Sequence, residues 1–150
     1  MAERKTTLFL CTGNSRRSQM AEGFARHFGG DRIAAYSAGV DPKPIPSQTV
    51  EVMREVGIDI SGQRSKGLEE APPEVEVVVT LCDSAAEACP FFPGSPRMLH
   101  WSLPDPALAQ GSPEEVREVY RTVRDRIGAL VRDLVGELPQ SNGPFQRTDS

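Results

Sequence analysis

The run VEVVVTLC at residues 75–82 constrains the fold more than any other stretch of the sequence. Apart from Glu76, its residues are apolar or β-branched without polar alternation, which is typical of a strand covered on both faces. TTLFLC at residues 6–11 has the same character, and it also ends on a cysteine. Strands of this kind occur mainly in parallel sheets with helices on their faces. The chain is therefore expected to contain a parallel sheet.

The rest of the pattern predicts that strands and helices alternate. Further strands are predicted at residues 32–39 and 97–101, and helices at residues 18–28, 47–56 and 65–70, the second of them capped by Ser47. Ser112 followed by Pro113 and two glutamates marks the start of a last helix, whose apolar face extends to Leu134. This alternation predicts a single α/β layered sandwich. One domain is expected over residues 1–138, followed by a polar, frayed tail at residues 139–150.

Composition narrows the possible functions. The net charge of −4 gives no basic surface for nucleic acid. No apolar stretch has the length of a membrane span or of a signal peptide, so we expect a cytoplasmic protein. Three cysteines are an odd number, which argues against a static disulfide framework. In a reducing cytosol such residues are more often catalytic, redox-active or buried.

The loop after Cys11 is the first candidate site. Ligands bind at the carboxyl ends of the strands in such sheets, and both Cys11 and Cys82 end predicted strands. The loop also leads into a helix N-terminus, where free N–H groups and the helix dipole favour an anion. The candidate oxyanion-binding residues are Thr12, Gly13, Asn14, Ser15, Arg16 and Arg17. The Arg17 guanidinium suits two oxygens of a tetrahedral oxyanion, and the positive field favours a nucleophilic Cys11 thiolate, to which Ser18 can donate a hydrogen bond.

CTGNSRRSQMAEG at residues 11–23 and LPDPA at residues 103–107 resemble the low-molecular-weight protein tyrosine phosphatase fold family. YSAG, GIDIS and VVVTLCD match as well, and the similarity is greatest to the family's thioredoxin-coupled arsenate reductases. The resemblance implies a three-layer α/β sandwich with a four-stranded parallel sheet. It also implies oxyanion binding in the Cys11–Arg17 loop and a general acid at Asp105, which protonates the departing oxygen.

The same resemblance implies a relay through three cysteines. Cys11 attacks arsenate, Cys82 attacks Cys11 with release of arsenite, and Cys89 then attacks Cys82. Thioredoxin reduces the resulting Cys82–Cys89 disulfide, and no metal or organic cofactor is required. The expected partners are arsenate, with phosphate and sulfate as analogues, and thioredoxin. The protein is expected to be a monomer.

Two alternative functions remain. A protein tyrosine phosphatase needs only Cys11, Arg17 and Asp105, and weak phosphatase activity is compatible with the reductase site. Such phosphatases usually have a tyrosine after their Asp-Pro, where this chain has Ala107, and they have no need of Cys82 and Cys89. A thiol-rich protein that sequesters arsenite or a soft metal is the more remote alternative, because it would need no oxyanion loop.

The sequence departs from the family at two positions. Arg16 stands where the family often has a further cysteine. Some members also bind potassium through residues that match Asn14, Glu22 and Ser37, together with an acid at the position of Lys66. We expect the Lys66 ammonium to replace this ion, and we predict no metal site.

Overall fold

The computed structural model describes residues 5–81 and 96–138, in which strands and helices alternate along the chain. The strands are β1 (Lys5–Cys11), β2 (Ile33–Gly39), β3 (Val77–Thr80) and β4 (Arg97–His100), and the helices are α1 (Arg17–Gly29), α2 (Ser47–Glu55) and α3 (Pro113–Gly136). All neighbouring strands pair in parallel, in the order β2-β1-β3-β4. This confirms the predicted α/β sandwich with a four-stranded parallel sheet.

The two central strands, β1 and β3, carry the core of the sheet. Leu8, Phe9 and Leu10 of β1 are fully buried, and every residue of β3 is buried. Burial on both faces explains why these two segments lack polar alternation. β3 is shorter than the run of residues 75–82, although the Leu81 N–H still donates to the Leu10 carbonyl at 2.9 Å. The end of β1 is therefore held by hydrogen bonds to β2 on one side and to the chain at the end of β3 on the other.

Helix α3 begins where the sequence predicts and packs against α1 and α2. The Ser112 side chain accepts a hydrogen bond from the Glu115 N–H, and the Glu115 carboxylate accepts one from the Ser112 N–H. This reciprocal capping satisfies two N–H groups that a helix start would otherwise leave unpaired. Gly128 faces the Phe24 ring of α1, where a Cβ atom would lie 3.0 Å from the ring. A small residue there lets the two helices approach closely.

Two local predictions are wrong. The segment 65–70 is not a helix, because Gly39 donates to the Lys66 carbonyl at 2.9 Å and forms a parallel bridge with Gly67. Only a short 3-10 turn, Leu68–Glu70, follows this pairing. Ser47 does not cap α2: it is the first helical residue, Pro46 holds the cap position, and no side chain caps the helix. At residues 65–70 the pairing with β2 overrides local propensity.

Cys82, Cys89 and the tail at residues 139–150 lie outside the described residues. Within the described ranges, no helix combines the length and the apolar character that crossing a membrane requires.

Candidate active site

The site lies where β1 ends and α1 begins. We call residues 12–17 the anion loop. Cys11, the last residue of β1, is 3% exposed and lies at a cleft of about 530 Å³. The cleft is lined by Cys11, Thr12, Gly13, Ser15, Arg16, Arg17, Asp41, Lys43, Leu103, Asp105 and Leu108. The position matches the expectation that ligands bind at the carboxyl ends of parallel strands.

A segment after β2 holds the anion loop from outside. We call residues 39–43 the strap. The Asp41 N–H donates to the Thr12 carbonyl and the Lys43 N–H donates to the Gly13 carbonyl, both at 2.8 Å. These two hydrogen bonds hold the Thr12 and Gly13 carbonyls against the strap and thereby fix the course of the anion loop.

Close approach of the strap to the loop requires a glycine at its start. A Cβ atom at Gly39 would lie 2.7 Å from the Thr12 carbonyl oxygen and 2.8 Å from the Asn14 nitrogen. Both neighbours are backbone atoms, so neither can move aside without distorting the loop. Gly39 is therefore part of the loop's construction, a role that its place in the motif YSAG does not reveal.

A chain of hydrogen bonds beneath the loop ends at the Cys11 sulfur. The Lys66 backbone N–H can only donate, and it donates to Asn14 Oδ1 at 2.9 Å. This fixes Asn14 Nδ2 as the donor to Ser18 Oγ, also at 2.9 Å. The Ser18 hydroxyl is then free to donate its own hydrogen to Cys11 Sγ, 2.9 Å away. This chain of hydrogen bonds orients the Ser18 hydroxyl toward the Cys11 sulfur.

Asn14 has a φ of 47°, in the left-handed region, which asparagine adopts more readily than most residues. Its side chain is completely buried and does not line the cleft. The buried Gln19 amide holds it from behind by donating to the Asn14 carbonyl and to Asn14 Oδ1, each at 3.0 Å. Asn14 thus shapes the loop and orients Ser18.

Arg17 is buried. One nitrogen of its guanidinium binds backbone carbonyls, and the other two form an edge that can bind an anion. Nη1 donates to the carbonyls of Leu81, at 3.3 Å, and Leu103, at 3.0 Å. Nη2 lies 3.6 Å from Asp105 Oδ2, and the buried Nε has no hydrogen-bond partner among residues 5–81 and 96–138. Nε and Nη2 form one edge of the planar group, the edge that binds two oxygens of a tetrahedral anion. A buried donor without a partner is costly, so this edge is suited to an incoming oxyanion.

Asp105 lies across the cleft on the segment that leads to the 3-10 turn Pro106–Leu108. Its Oδ1 accepts from the Ala107 N–H at 2.9 Å, which caps the turn. Its Oδ2 faces Arg17 and its side chain is 36% exposed. The turn thus fixes one oxygen and leaves the other at the cleft. Asp105 therefore caps the turn with Oδ1 and also lines the cleft, where a general acid would have to lie.

Lys66 occupies the region that the sequence assigned to a cation. Its Nζ lies 3.7 Å from Glu22 Oε1 and 3.4 Å from Ser37 Oγ, and it donates to the Arg64 carbonyl at 3.1 Å. Glu22 is 3% exposed, so its carboxylate needs a cationic neighbour. Arg26 supplies that charge most closely, with its Nη2 2.5 Å from Glu22 Oε2, and the Lys66 ammonium adds a second positive charge on the side of Oε1. In the part of the chain that the structure describes, no cluster of histidine, cysteine and acidic side chains could hold a metal ion.

The structure brings Cys11, Arg17, Ser18 and Asp105 together with the loop residues, whereas Cys82 and Cys89 lie outside the described residues. The sequence did not indicate the strap residues, Gln19, or Ser65, whose hydroxyl donates to the Gly13 carbonyl at 3.0 Å. The prolines of DPKPIP at residues 41–46 indicate a turn, but the sequence gives no sign that this turn contacts the anion loop. That contact could have been anticipated only from the fact that neighbouring strands of a parallel sheet end at the same edge.

Curated relatives of the chain are arsenate reductases. The enzyme named so in Halalkalibacterium halodurans is 45% identical over 130 residues, which cover 86% of this chain and 94% of the relative. The Bacillus subtilis arsenate reductase is also 45% identical, over 133 residues that cover 88% of this chain and 96% of the relative.

Solved structures of arsenate reductases and of a related phosphatase have the same fold as this chain. An arsenate reductase in the oxidized state superposes with a TM-score of 0.77 at 35% identity and covers 89% of this chain and 98% of its own. A low molecular weight protein tyrosine phosphatase from T. tengcongensis gives a TM-score of 0.73 at 29% identity and covers 89% of this chain and 99% of its own. Residues 6–142 match the model of the low molecular weight phosphotyrosine protein phosphatase family. The chain therefore belongs to this family.

Proposed function

We propose that the protein reduces arsenate to arsenite through Cys11. The observation that carries this proposal is the open edge of Arg17 beside a cysteine at the cleft, where the buried Nε has no partner within the described part of the chain. A tetrahedral oxyanion satisfies that edge and places its central atom within reach of the sulfur. The relatives named arsenate reductase, which match nearly the whole chain, support arsenate as this oxyanion.

In the first step the Cys11 thiolate attacks the arsenic of arsenate. A sulfur–arsenic bond forms and one arsenic–oxygen bond breaks. Asp105 donates a proton to the departing oxygen, which leaves as water. The N–H groups of the anion loop and Arg17 stabilise the negative charge on the remaining oxygens. Ser18 orients the nucleophile before the attack, since its hydroxyl contacts the Cys11 sulfur at 2.9 Å.

In the next steps two electrons pass to arsenic. The Cys82 thiolate attacks the Cys11 sulfur, so a disulfide forms and the sulfur–arsenic electron pair stays on arsenic, which leaves as arsenite. Cys89 then attacks Cys82, which restores the Cys11 thiolate and leaves a Cys82–Cys89 disulfide. Thioredoxin, as an external dithiol, reduces that disulfide. Every step is thiol chemistry, so this scheme includes no metal or organic cofactor.

The test is arsenate-dependent NADPH consumption in the presence of thioredoxin and its reductase. The wild-type protein should consume NADPH in proportion to arsenate, whereas Cys11→Ser should not, because a serine hydroxyl cannot form the thiolate adduct. Cys82→Ser is the matched control for the relay, since it retains the Cys11 site but cannot release arsenite repeatedly. Turnover by either variant would contradict the assigned roles.

A second activity, weak hydrolysis of phosphate esters, is favoured by the shared geometry of Cys11, Arg17 and Asp105. Water rather than Cys82 resolves a phospho-cysteine, so Cys82→Ser should retain any phosphatase activity while losing arsenate reduction. A phosphatase assay with an aryl phosphate, run on the same preparations, separates the two. Phosphatase activity without arsenate reduction in the wild type would favour the phosphatase as the main function.

A further inference from the structure

The second arginine of the loop, Arg16, has a contact that the scheme above does not use. Its Nε donates to the Tyr120 hydroxyl of α3 at 2.8 Å, and its Nη1 donates to Ser15 Oγ at 3.3 Å. Tyr120 is 2% exposed and is separated from Arg16 by 104 positions in the chain. A buried hydroxyl on a long helix therefore fixes the direction of a guanidinium that lines the cleft.

The charge of Arg16 is not neutralised within the part of the chain that the structure describes. Arg17 faces Asp105 and Lys43 pairs with Asp41 at 3.2 Å, but Arg16 forms no ion pair with a described residue, and its two hydrogen bonds go to neutral hydroxyls. A restrained, uncompensated cation at the wall of a small cleft attracts anions in proportion to their charge.

We infer that Arg16 determines the charge selectivity of the cleft in favour of tetrahedral dianions over monoanions, and that Tyr120 positions it. This inference rests on the proposed oxyanion site but not on arsenate reduction. The Coulomb energy between Arg16 and a bound anion doubles when the anion carries two charges instead of one. Arsenate and phosphate carry two charges at neutral to alkaline pH, so the selectivity favours the ionic form expected for the substrate.

The experiment compares the binding of sulfate, a tetrahedral dianion, with that of perchlorate, a tetrahedral monoanion, by calorimetric titration of the reduced protein. Arg16→Gln should weaken perchlorate about threefold and sulfate about tenfold, because the second free-energy loss is about twice the first. Tyr120→Phe retains the charge but frees the side chain, so it should weaken sulfate about twofold, with a smaller effect on perchlorate. Arg16→Lys should retain most of the selectivity.

Arg32→Gln is the matched control, since Arg32 lies just beyond the far end of α1, about 20 Å along the helix from Arg16. It removes the same charge at a distance beyond the screening length, so both anions should bind as in the wild type. Equal weakening of sulfate and perchlorate by Arg16→Gln, or no weakening of either, would overturn the role of Arg16. Unchanged sulfate binding in Tyr120→Phe would overturn the role of Tyr120, and this variant decides the matter if Arg16→Gln does not fold. Neither result involves reduction of arsenate, so a failure here is distinguishable from a failure of the proposed function.

Discussion

Two buried arginines in this protein are used in opposite ways. Arg124 of α3 and Arg17 of the anion loop are 7% and 8% exposed. Arg124 donates to Asp125 Oδ1 at 2.8 Å, to the Val52 carbonyl at 2.9 Å and to Glu55 Oε1 at 2.8 Å. Among the residues that the structure describes, Arg17 donates only to two carbonyls, its carboxylate partner lies at 3.6 Å, and its Nε has no partner.

The difference separates a structural cation from a functional one. Burying a charge is costly unless close partners compensate it, and Arg124 has such partners on two helices. Arg17 has one carboxylate at 3.6 Å and, among the described residues, no partner for its Nε, so the fold retains an edge that can bind an external anion. Substitutions at Arg17 should therefore alter catalysis and anion binding, whereas those at Arg124 should alter stability.

The largest effect is expected from Arg17→Lys. Lysine lacks the planar edge that binds two oxygens, so arsenate turnover should fall about a thousandfold. The unfolding temperature of the wild type should rise with added sulfate, because the anion binds the folded state, and this rise should disappear in the variant. The unfolding temperature of each protein without anion is the folding control. An undiminished sulfate response in Arg17→Lys would contradict the assignment of the open edge.

The next largest effect is expected from Asp105→Asn, with a loss of about a hundredfold in turnover because the departing oxygen lacks a proton donor. Asparagine retains the oxygen that accepts from the Ala107 N–H, so the turn should persist. Steady-state kinetics measure the loss, and the unfolding temperature without anion serves as the folding control. A loss of less than about threefold would remove Asp105 as the general acid.

Arg124→Met should lower the stability of the protein and leave its turnover nearly unchanged. The free energy of unfolding should fall by about 1 to 3 kcal/mol, since the Val52 carbonyl and Glu55 each lose a partner. Denaturant titration measures this loss. Turnover of arsenate should stay within about twofold of the wild type at a temperature where the variant is folded. A large loss of turnover in a folded variant would break the distinction between the two arginines.

The smallest effect concerns pH. Hydrogen bonds from Arg121, followed by those from Arg124, lower the pKa of Glu55 from 4.5 to about 2. A carboxylate whose pKa is depressed by folding stabilises the protein above its unfolded pKa, and this contribution is lost as the pH falls from 4.5 toward 2. The difference in unfolding temperature between wild type and Glu55→Gln should therefore be larger at about pH 7 than at about pH 3. A difference that is independent of pH would contradict this role of Glu55.

What the sequence predicted corresponds to local patterns. The continuous apolar runs identify β1 and β3, and Ser112 with Glu115 identifies the start of α3. These features depend on neighbours within a few positions, so a single sequence contains the information.

What the sequence did not predict depends on distant partners. Tyr120 and Arg16 meet across 104 positions, and Arg121 of α3 reaches Glu55 across 66. Nothing in the local pattern around Tyr120 distinguishes its hydroxyl from that of any other helical tyrosine. The local sequence of residues 65–70 predicts a helix because it does not show the pairing with Gly39. That pairing depends on where β2 ends beside the anion loop.

Release of arsenite in a single turnover tests the central claim most directly. Fully reduced protein is mixed with arsenate without thioredoxin or any other reductant, and arsenite and protein mass are measured together. The account predicts arsenite in an amount equal to the protein, the mass loss of one disulfide, and peptides that link Cys82 to Cys89. Cys82→Ser should release none. Unchanged arsenate with all three thiols intact, or equal arsenite release by Cys82→Ser, would contradict the account.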